Sequence, residues 1–235
     1  MFKVLKSVAT LGFAFACGVA AAAPAELISN GGFETGTLAG WTTSGLGTTG
    51  TCPSVGRDWN VSNSGDATGC LAAGNPTGSA FAAYVMNDGG VTNTVYKLSQ
   101  SFVVPTGVIS AALGWSDSSV SSYSGDARKF TVDILDGVTV VANIYNYSVP
   151  FSDSDTGWDV RTFDITSLLA AHGGETLTLL FSNTIAQVWT GPAGLGLDDV
   201  TLTADAVAAI PEPGVLALFG LALFGLGFSK RRIRK

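Results

Sequence analysis

Residues 129–135 read Lys-Phe-Thr-Val-Asp-Ile-Leu and alternate polar and apolar side chains through Ile134. Successive side chains of an extended chain point to opposite faces, so Phe130, Val132 and Ile134 share one face and Lys129, Thr131 and Asp133 the other. A helix would scatter both sets around its circumference, so the segment reads as a half-buried strand. Asp136-Gly137 follows, a dipeptide suited to a tight turn, and Val138–Tyr147 returns as the second arm of a hairpin. Ser101–Val104, ended by Pro105, and Val108–Trp115, Glu175–Phe181 and Leu197–Leu202 read as further strands, while Ile165–His172 alone looks like a helical turn. Short strands punctuated by Gly, Asn and Asp predict an all-β antiparallel sandwich.

The two ends of the chain have a different character. Lys3 and Lys6 precede an apolar stretch, Val8–Val19, and then small residues through Ala23. This is the layout of a secretory signal helix, with cleavage expected near Ala22 and export through the Sec translocon. A lipoprotein reading would make Cys17 the lipidated residue, but Ala14-Phe15-Ala16 before it lacks the usual leucine-like position. The chain therefore divides into a signal at 1–22, a β-rich body at 24–204 and a tail at 205–235.

Charge is concentrated in the body. All but one of the 18 carboxylate side chains, but only five of the 12 cations, fall between Glu26 and Ala209, giving that stretch a net −12 against −6 for the whole chain. So acidic a surface repels phosphate backbones, which excludes nucleic acid as the expected partner. Removal of the signal leaves two cysteines, Cys52 and Cys70, and in an oxidising compartment two such thiols are expected to pair as a structural disulfide.

The body opens with LISNGGFETGTLAGWTTSG (Leu27–Gly45) and closes with GLGLDDVTLT (Gly194–Thr203). This pair, with LSQSFVVPTG (98–107) and WDVRTFDITSLLAAHGGETLTLLFSN (158–183) between them, resembles the galactose-binding-like jelly-roll modules, the fold of many carbohydrate-binding modules. The resemblance implies a jelly-roll β-sandwich whose first and last strands lie side by side. It also implies a structural calcium held by acidic residues there, with Glu34 and Asp198 or Asp199 as ligands, since carboxylate and carbonyl oxygens suit a hard cation. If the strand alternates without interruption, Asp198 points to the core side with Val200 and Leu202, where a lone charge needs a cation or donors. A second acidic run, Asp153, Asp155 and Asp159 in DSDTGWD, only partly resembles a calcium loop, and a solvated loop is the simpler expectation.

Sugar binding needs flat aromatic faces ringed by polar groups. Trp59, Trp115, Tyr123, Tyr145, Tyr147, Trp158 and Trp189 are the candidates, with Trp41, Trp115 and Trp158 expected to serve the core instead. Tyr145 and Tyr147 are two residues apart, and Asn143 two before them, so all three are expected on one sheet face as a sugar platform or a cover for the core. Catalysis finds little support. His172 is the only histidine, no GxSxG elbow supplies a serine nucleophile, and one histidine with two paired cysteines makes a zinc site hard to build. Nothing places two carboxylates across a cleft, as a glycoside hydrolase would require.

The tail reads IPEPGVLALFGLALFGLGFSKRRIRK (210–235). Its apolar run, 214–228, would reach about 22 Å as a helix, short of a hydrocarbon core of about 30 Å. Lys230, Arg231, Arg232, Arg234 and Lys235 would hold its end in the cytoplasm. Pro211-Glu212-Pro213, a short apolar transmembrane helix and a basic tip together resemble the PEP-CTERM sorting signal of Gram-negative bacteria. That resemblance implies a transient hold in the inner membrane and processing by an exosortase near the Pro-Glu-Pro motif. Release to the cell surface or extracellular matrix would follow. The expected protein is thus non-enzymatic and exported, with a sandwich that binds extracellular polysaccharide. The alternative is a structural or adhesive matrix component with no defined sugar site; a glycan hydrolase is a third.

Overall fold

Period-two segments dominate the computed structural model, which describes residues 23–45, 57–63, 75–76, 78–87, 94–121, 128–149, 157–185 and 193–207. The expected signal helix, the Cys52–Cys70 pair, Tyr123, Asp153, Asp155, Trp189 and the sorting tail with its transmembrane helix lie outside the described residues. Among the described residues no helix is long and apolar enough to cross a membrane.

The strands are β1 (Ala25–Glu26), β2 (Thr42–Ser44), β3 (Arg57–Ser62), β4 (Ala82–Asn87), β5 (Thr94–Val103) and β6 (Val108–Ser121). They continue as β7 (Arg128–Asp136), β8 (Thr139–Val149), β9 (Asp159–Asp164), β10 (Thr176–Ile185) and β11 (Ala193–Ala206), with one short helix, α1 (Thr166–Ala171), between β9 and β10. One sheet runs β3-β4-β11-β6-β9, with β1 against β11; the other runs β2-β5-β10-β7-β8. Every pairing is antiparallel. The long strands pair in nested fashion, β7 with β8, β6 with β9, β5 with β10 and β4 with β11. A hairpin folded over itself so that its pairs fall alternately in two sheets is a jelly roll, as expected.

Alternation along β7 matches its sequence: Phe130, Val132 and Ile134 are buried while Lys129 is exposed. Asp136 pairs with Thr139 across the expected turn, where Gly137 takes φ +56°. Leu98, Phe102, Leu113, Trp115, Leu177, Leu179, Phe181 and Leu202 fill the space between the sheets with the β7 residues. Each such side chain contributes roughly 1.5–3 kcal/mol by leaving water. Residues Ala23–Ala206 form one compact unit.

The opening loop is fastened to the last strand. Leu27 N–H donates to the Leu202 carbonyl at 2.8 Å and Val200 N–H to the Gly31 carbonyl at 3.0 Å. Glu26 Oε1 accepts from the backbone of Leu202 at 2.7 Å. The first and last strands therefore lie side by side, as the end segments implied. Uninterrupted alternation fails in β11, however. The register against β6 shifts between Asp198 and Thr201, and Asp199 takes φ +51°. Before this bulge Leu195 and Leu197 face the core; after it Val200, Leu202 and Ala204 do. Asp198 thus lies on the side away from Leu197 and the main core, not on the core side where simple alternation places it.

Candidate functional site

Among the described residues two places gather polar and aromatic groups: the bulge in β11, and the seam where edge strand β8 of one sheet meets edge strand β9 of the other.

At the bulge, Asp198 has no solvent exposure. Its Oδ1 accepts the Asp199 N–H at 2.8 Å, while its Oδ2 is buried with no hydrogen-bond partner. A Cβ on Gly32 would lie 3.8 Å from Glu34 Cγ and 4.0 Å from Asp198 Oδ1, so the opening loop brings Glu34 up beside Asp198. Burial, with the charges of Asp199 and Glu34 adding to it, pushes the Asp198 carboxyl up to about 6, against the pull of the Ser79 side chain and the Asp199 amide. Asp199 is exposed and its Oδ2 accepts from Ser116 Oγ at 3.3 Å. Glu34 Oε1 accepts the backbone N–H of Ala80 at 3.0 Å, the turn-capping role. Among the described residues no three His, Cys, Asp or Glu side chains converge as a metal cluster. What fits a hard cation is narrower: the orphaned Asp198 oxygen, with Glu34 beside it.

At the seam, the inward faces of β8 and β9 meet over Trp115. Tyr145 and Tyr147 stand on the inner face, opposite Val132 and Phe130 of β7, with near-parallel rings whose centroids are 6.1 Å apart. Tyr145 meets Trp115 edge-on at 5.7 Å and Phe163 of β9 at 6.1 Å, which joins the two sheets. The Arg161 guanidinium lies 5.2 Å from the Tyr145 ring centroid. It is clamped there by two carboxylates. Nε donates to Asp117 Oδ2 at 3.0 Å, and Nη2 to Asp117 Oδ1 at 3.2 Å and to Asp159 Oδ2 at 2.8 Å. Trp115 Nε1 donates to Asp117 Oδ2 at 2.7 Å. The hydrogen bond to Asp117 raises Arg161 above its ordinary pKa, and burial, followed by the Asp117 charge, raises Tyr145. Half-buried aromatic rings, one fixed guanidinium and an exposed Asp159 form a rigid polar-aromatic surface at the rim of the core.

Asn143 does not belong to it. The β7–β8 register shifts between Val132 and Asp133, so a bulge separates Asn143 from the tyrosines. Asn143 sits on the outward face and donates from Nδ2 to Asp133 Oδ1 at 2.6 Å, beside Thr131. Of the three residues expected on one face, Tyr145 and Tyr147 share it and Asn143 does not; beside the tyrosines stand Arg161 and Phe163 of β9 and Trp115 of β6, which spacing along β8 had no means of revealing. Nothing in the sequence of β9, DVRTFD, singles out Arg161, which lies among two carboxylates and two apolar residues. Trp59 and Trp115 are core residues, as is Trp41, whose Nε1 donates to the Asn30 carbonyl at 3.1 Å. Trp158 lies off the main core, edge-on to Tyr84 at 6.2 Å. His172 forms a local 2.7 Å contact with Glu175 and, among the described residues, meets no nucleophile.

Among solved structures, the chain is similar to the Stig cyclase Fisc from Fischerella sp. TAU, at 18% identity over 79% of this chain and 100% of that one, with TM-score 0.52. It is also similar to TmCBM61 in complex with β-1,4-galactotriose, at 17% identity over 76% of this chain and 97% of that one, with TM-score 0.45. A third is the K1 cleaved adhesin domain of Lys-gingipain from Porphyromonas gingivalis W83, at 16% identity over 79% and 99%, with TM-score 0.47. Of these, the likeness to the cyclase, at TM-score 0.52, shows a shared fold and nothing of chemistry. Among curated protein sequences none matches this chain. At the C-terminus, residues 209–232 match the PEP-CTERM protein-sorting motif.

Proposed function

We propose that this is an exported, exosortase-processed protein whose jelly roll binds extracellular polysaccharide without cleaving it, at the seam between β8 and β9. The observation that carries the reading is the Tyr145–Tyr147 pair with Arg161 fixed beside it. Pyranose rings offer apolar C–H faces and rims of hydroxyls, and such a surface answers both, by ring contact and by directed hydrogen bonds. The residues are held before any ligand arrives: Asp117 and Asp159 fix the guanidinium and Trp115 fixes Asp117, so little ordering entropy is lost on binding. The resemblance of the end segments to carbohydrate-binding modules supports the same reading. The sorting motif supports delivery, with the inner membrane and the exosortase as transient partners and the cell surface or matrix as destination. A calcium ion at Asp198 and Glu34 would then brace the joined ends of the sandwich, an inference supported by the buried, unpartnered Asp198 oxygen.

Retention of the body, residues 23–206, on exopolysaccharide from the producing cells tests this. Saturable binding is expected, reduced at least tenfold by Tyr147→Ala, whose ring is half-buried and whose loss leaves the core intact. Equal binding by the folded variant would move the site elsewhere. No binding by the folded parent would favour a structural or adhesive matrix role.

A further inference from the structure

Arg161 brings a positive charge to the seam, yet its charge is already spent. Asp117 takes two of its N–H groups and Asp159 a third. Among the described residues no protein group takes up the Nη1 hydrogens. The cluster therefore offers neutral hydrogen bonding from Nη1 while carrying two carboxylates against one guanidinium. Asp117 is buried, but the Asp159 side chain is 52% exposed and presents the surplus negative charge to solvent. Among the described side chains the other cations do not reverse this. Lys97 and Lys129 are exposed on the outward face of the five-stranded sheet, and Arg128 is buried. The surrounding body is itself strongly acidic.

We infer that the seam selects uncharged pyranose polymers and rejects uronic-acid polymers, with Asp159 as the discriminating residue. The inference rests on the glycan-binding reading and names the substrate class of that same site. A uronate would bring a third carboxylate beside Asp159 with no free cation among the described side chains to receive it, and like charges brought together at an interface suppress binding. A neutral sugar has hydroxyl oxygens to accept from Arg161 Nη1 and hydroxyl hydrogens to donate to the second oxygen of Asp159.

Affinity electrophoresis of the body through gels cast with neutral polymers (galactan, β-glucan, galactomannan) and acidic ones (polygalacturonate, alginate) tests this at low ionic strength. Retardation by at least one neutral polymer, at least tenfold stronger than by any acidic polymer, is expected. The gap should narrow in 0.5 M salt, as screening predicts. Asp159→Asn, a surface change with its fold checked by circular dichroism, should narrow the gap at low salt as well. Stronger retention by an acidic polymer, or an unchanged gap in Asp159→Asn, overturns the charge selection and leaves glycan binding standing. Retention by none of the polymers overturns glycan binding and this inference with it.

Discussion

Arg161 and Asp117 are 44 positions apart, yet each is the other's main partner. Removing the guanidinium leaves Asp117 buried with, among the described side chains, only the Trp115 N–H for company, and an uncompensated buried charge costs several kcal/mol. Arg161→Ala is expected to destabilise the body by about 3 kcal/mol in urea unfolding, with part of that recovered by adding Asp117→Asn. A single-variant loss under about 1 kcal/mol would mean that water already solvates Asp117. Asp198 carries a pH signature of the opposite sign to an ordinary surface carboxylate. Its folded-state pKa of about 6 exceeds the ordinary aspartate value of 3.8, so the native protein holds this proton more tightly than the unfolded chain. In chelator, the Asp198 contribution to stability is full below about pH 4 and is lost as pH rises to about 6, a change of at most about 3 kcal/mol. Asp198→Asn should flatten that slope, read from urea midpoints across pH. If calcium binds here, adding it should raise the melting temperature at pH 7 and leave it unchanged at pH 4, where the carboxyl is protonated. At this scale little was legible beforehand: Asp198 drew notice as an acid in an apolar strand, whereas the Arg161 clamp exists only because two edge strands meet.

Elements show where sequence pattern suffices and where it stops. The β7–β8 hairpin was readable because one buried face enforces strict alternation and Asp136-Gly137 supplies the turn. The bulges in β8 and β11 were not, because each inserts a single residue that shifts the phase of everything after it. Asn143 and Asp198 were consequently assigned to the wrong faces by counting in twos. Two glycines separate backbone strain from steric closeness. At Gly137, φ is +56° and nothing lies within 4 Å of an added Cβ, so Gly137→Ala should cost only about 1 kcal/mol, the penalty of the left-handed region. At Gly31, an added Cβ would fall 1.8 Å from the Val200 carbonyl oxygen, where the opening loop meets β11. Gly31→Ala must part that junction and should cost upwards of 3 kcal/mol by urea unfolding. Comparable losses at the two sites would mean that the junction yields.

For the whole molecule, the sorting tail and the jelly roll make separate predictions. Replacing Pro211-Glu212-Pro213 with three alanines should leave the uncleaved chain in the inner-membrane fraction, detected through an epitope tag placed ahead of the motif. Unchanged release would remove exosortase processing from the account. The tail was legible in sequence because a sorting signal is linear: a short motif, an apolar run and a basic tip act in order, without a folded partner. The all-β class was equally legible, since period-two alternation and turn residues are local properties of the chain. Which strands pair, which faces the bulges turn outward, and which residues meet at the seam depend on the nesting of β4 through β11 across two sheets. Tyr145 could be named from its neighbours in the chain. That it would stand beside Arg161, with Asp117 and Asp159 holding the guanidinium, was decided by tertiary contacts between groups that local chemistry leaves unrelated.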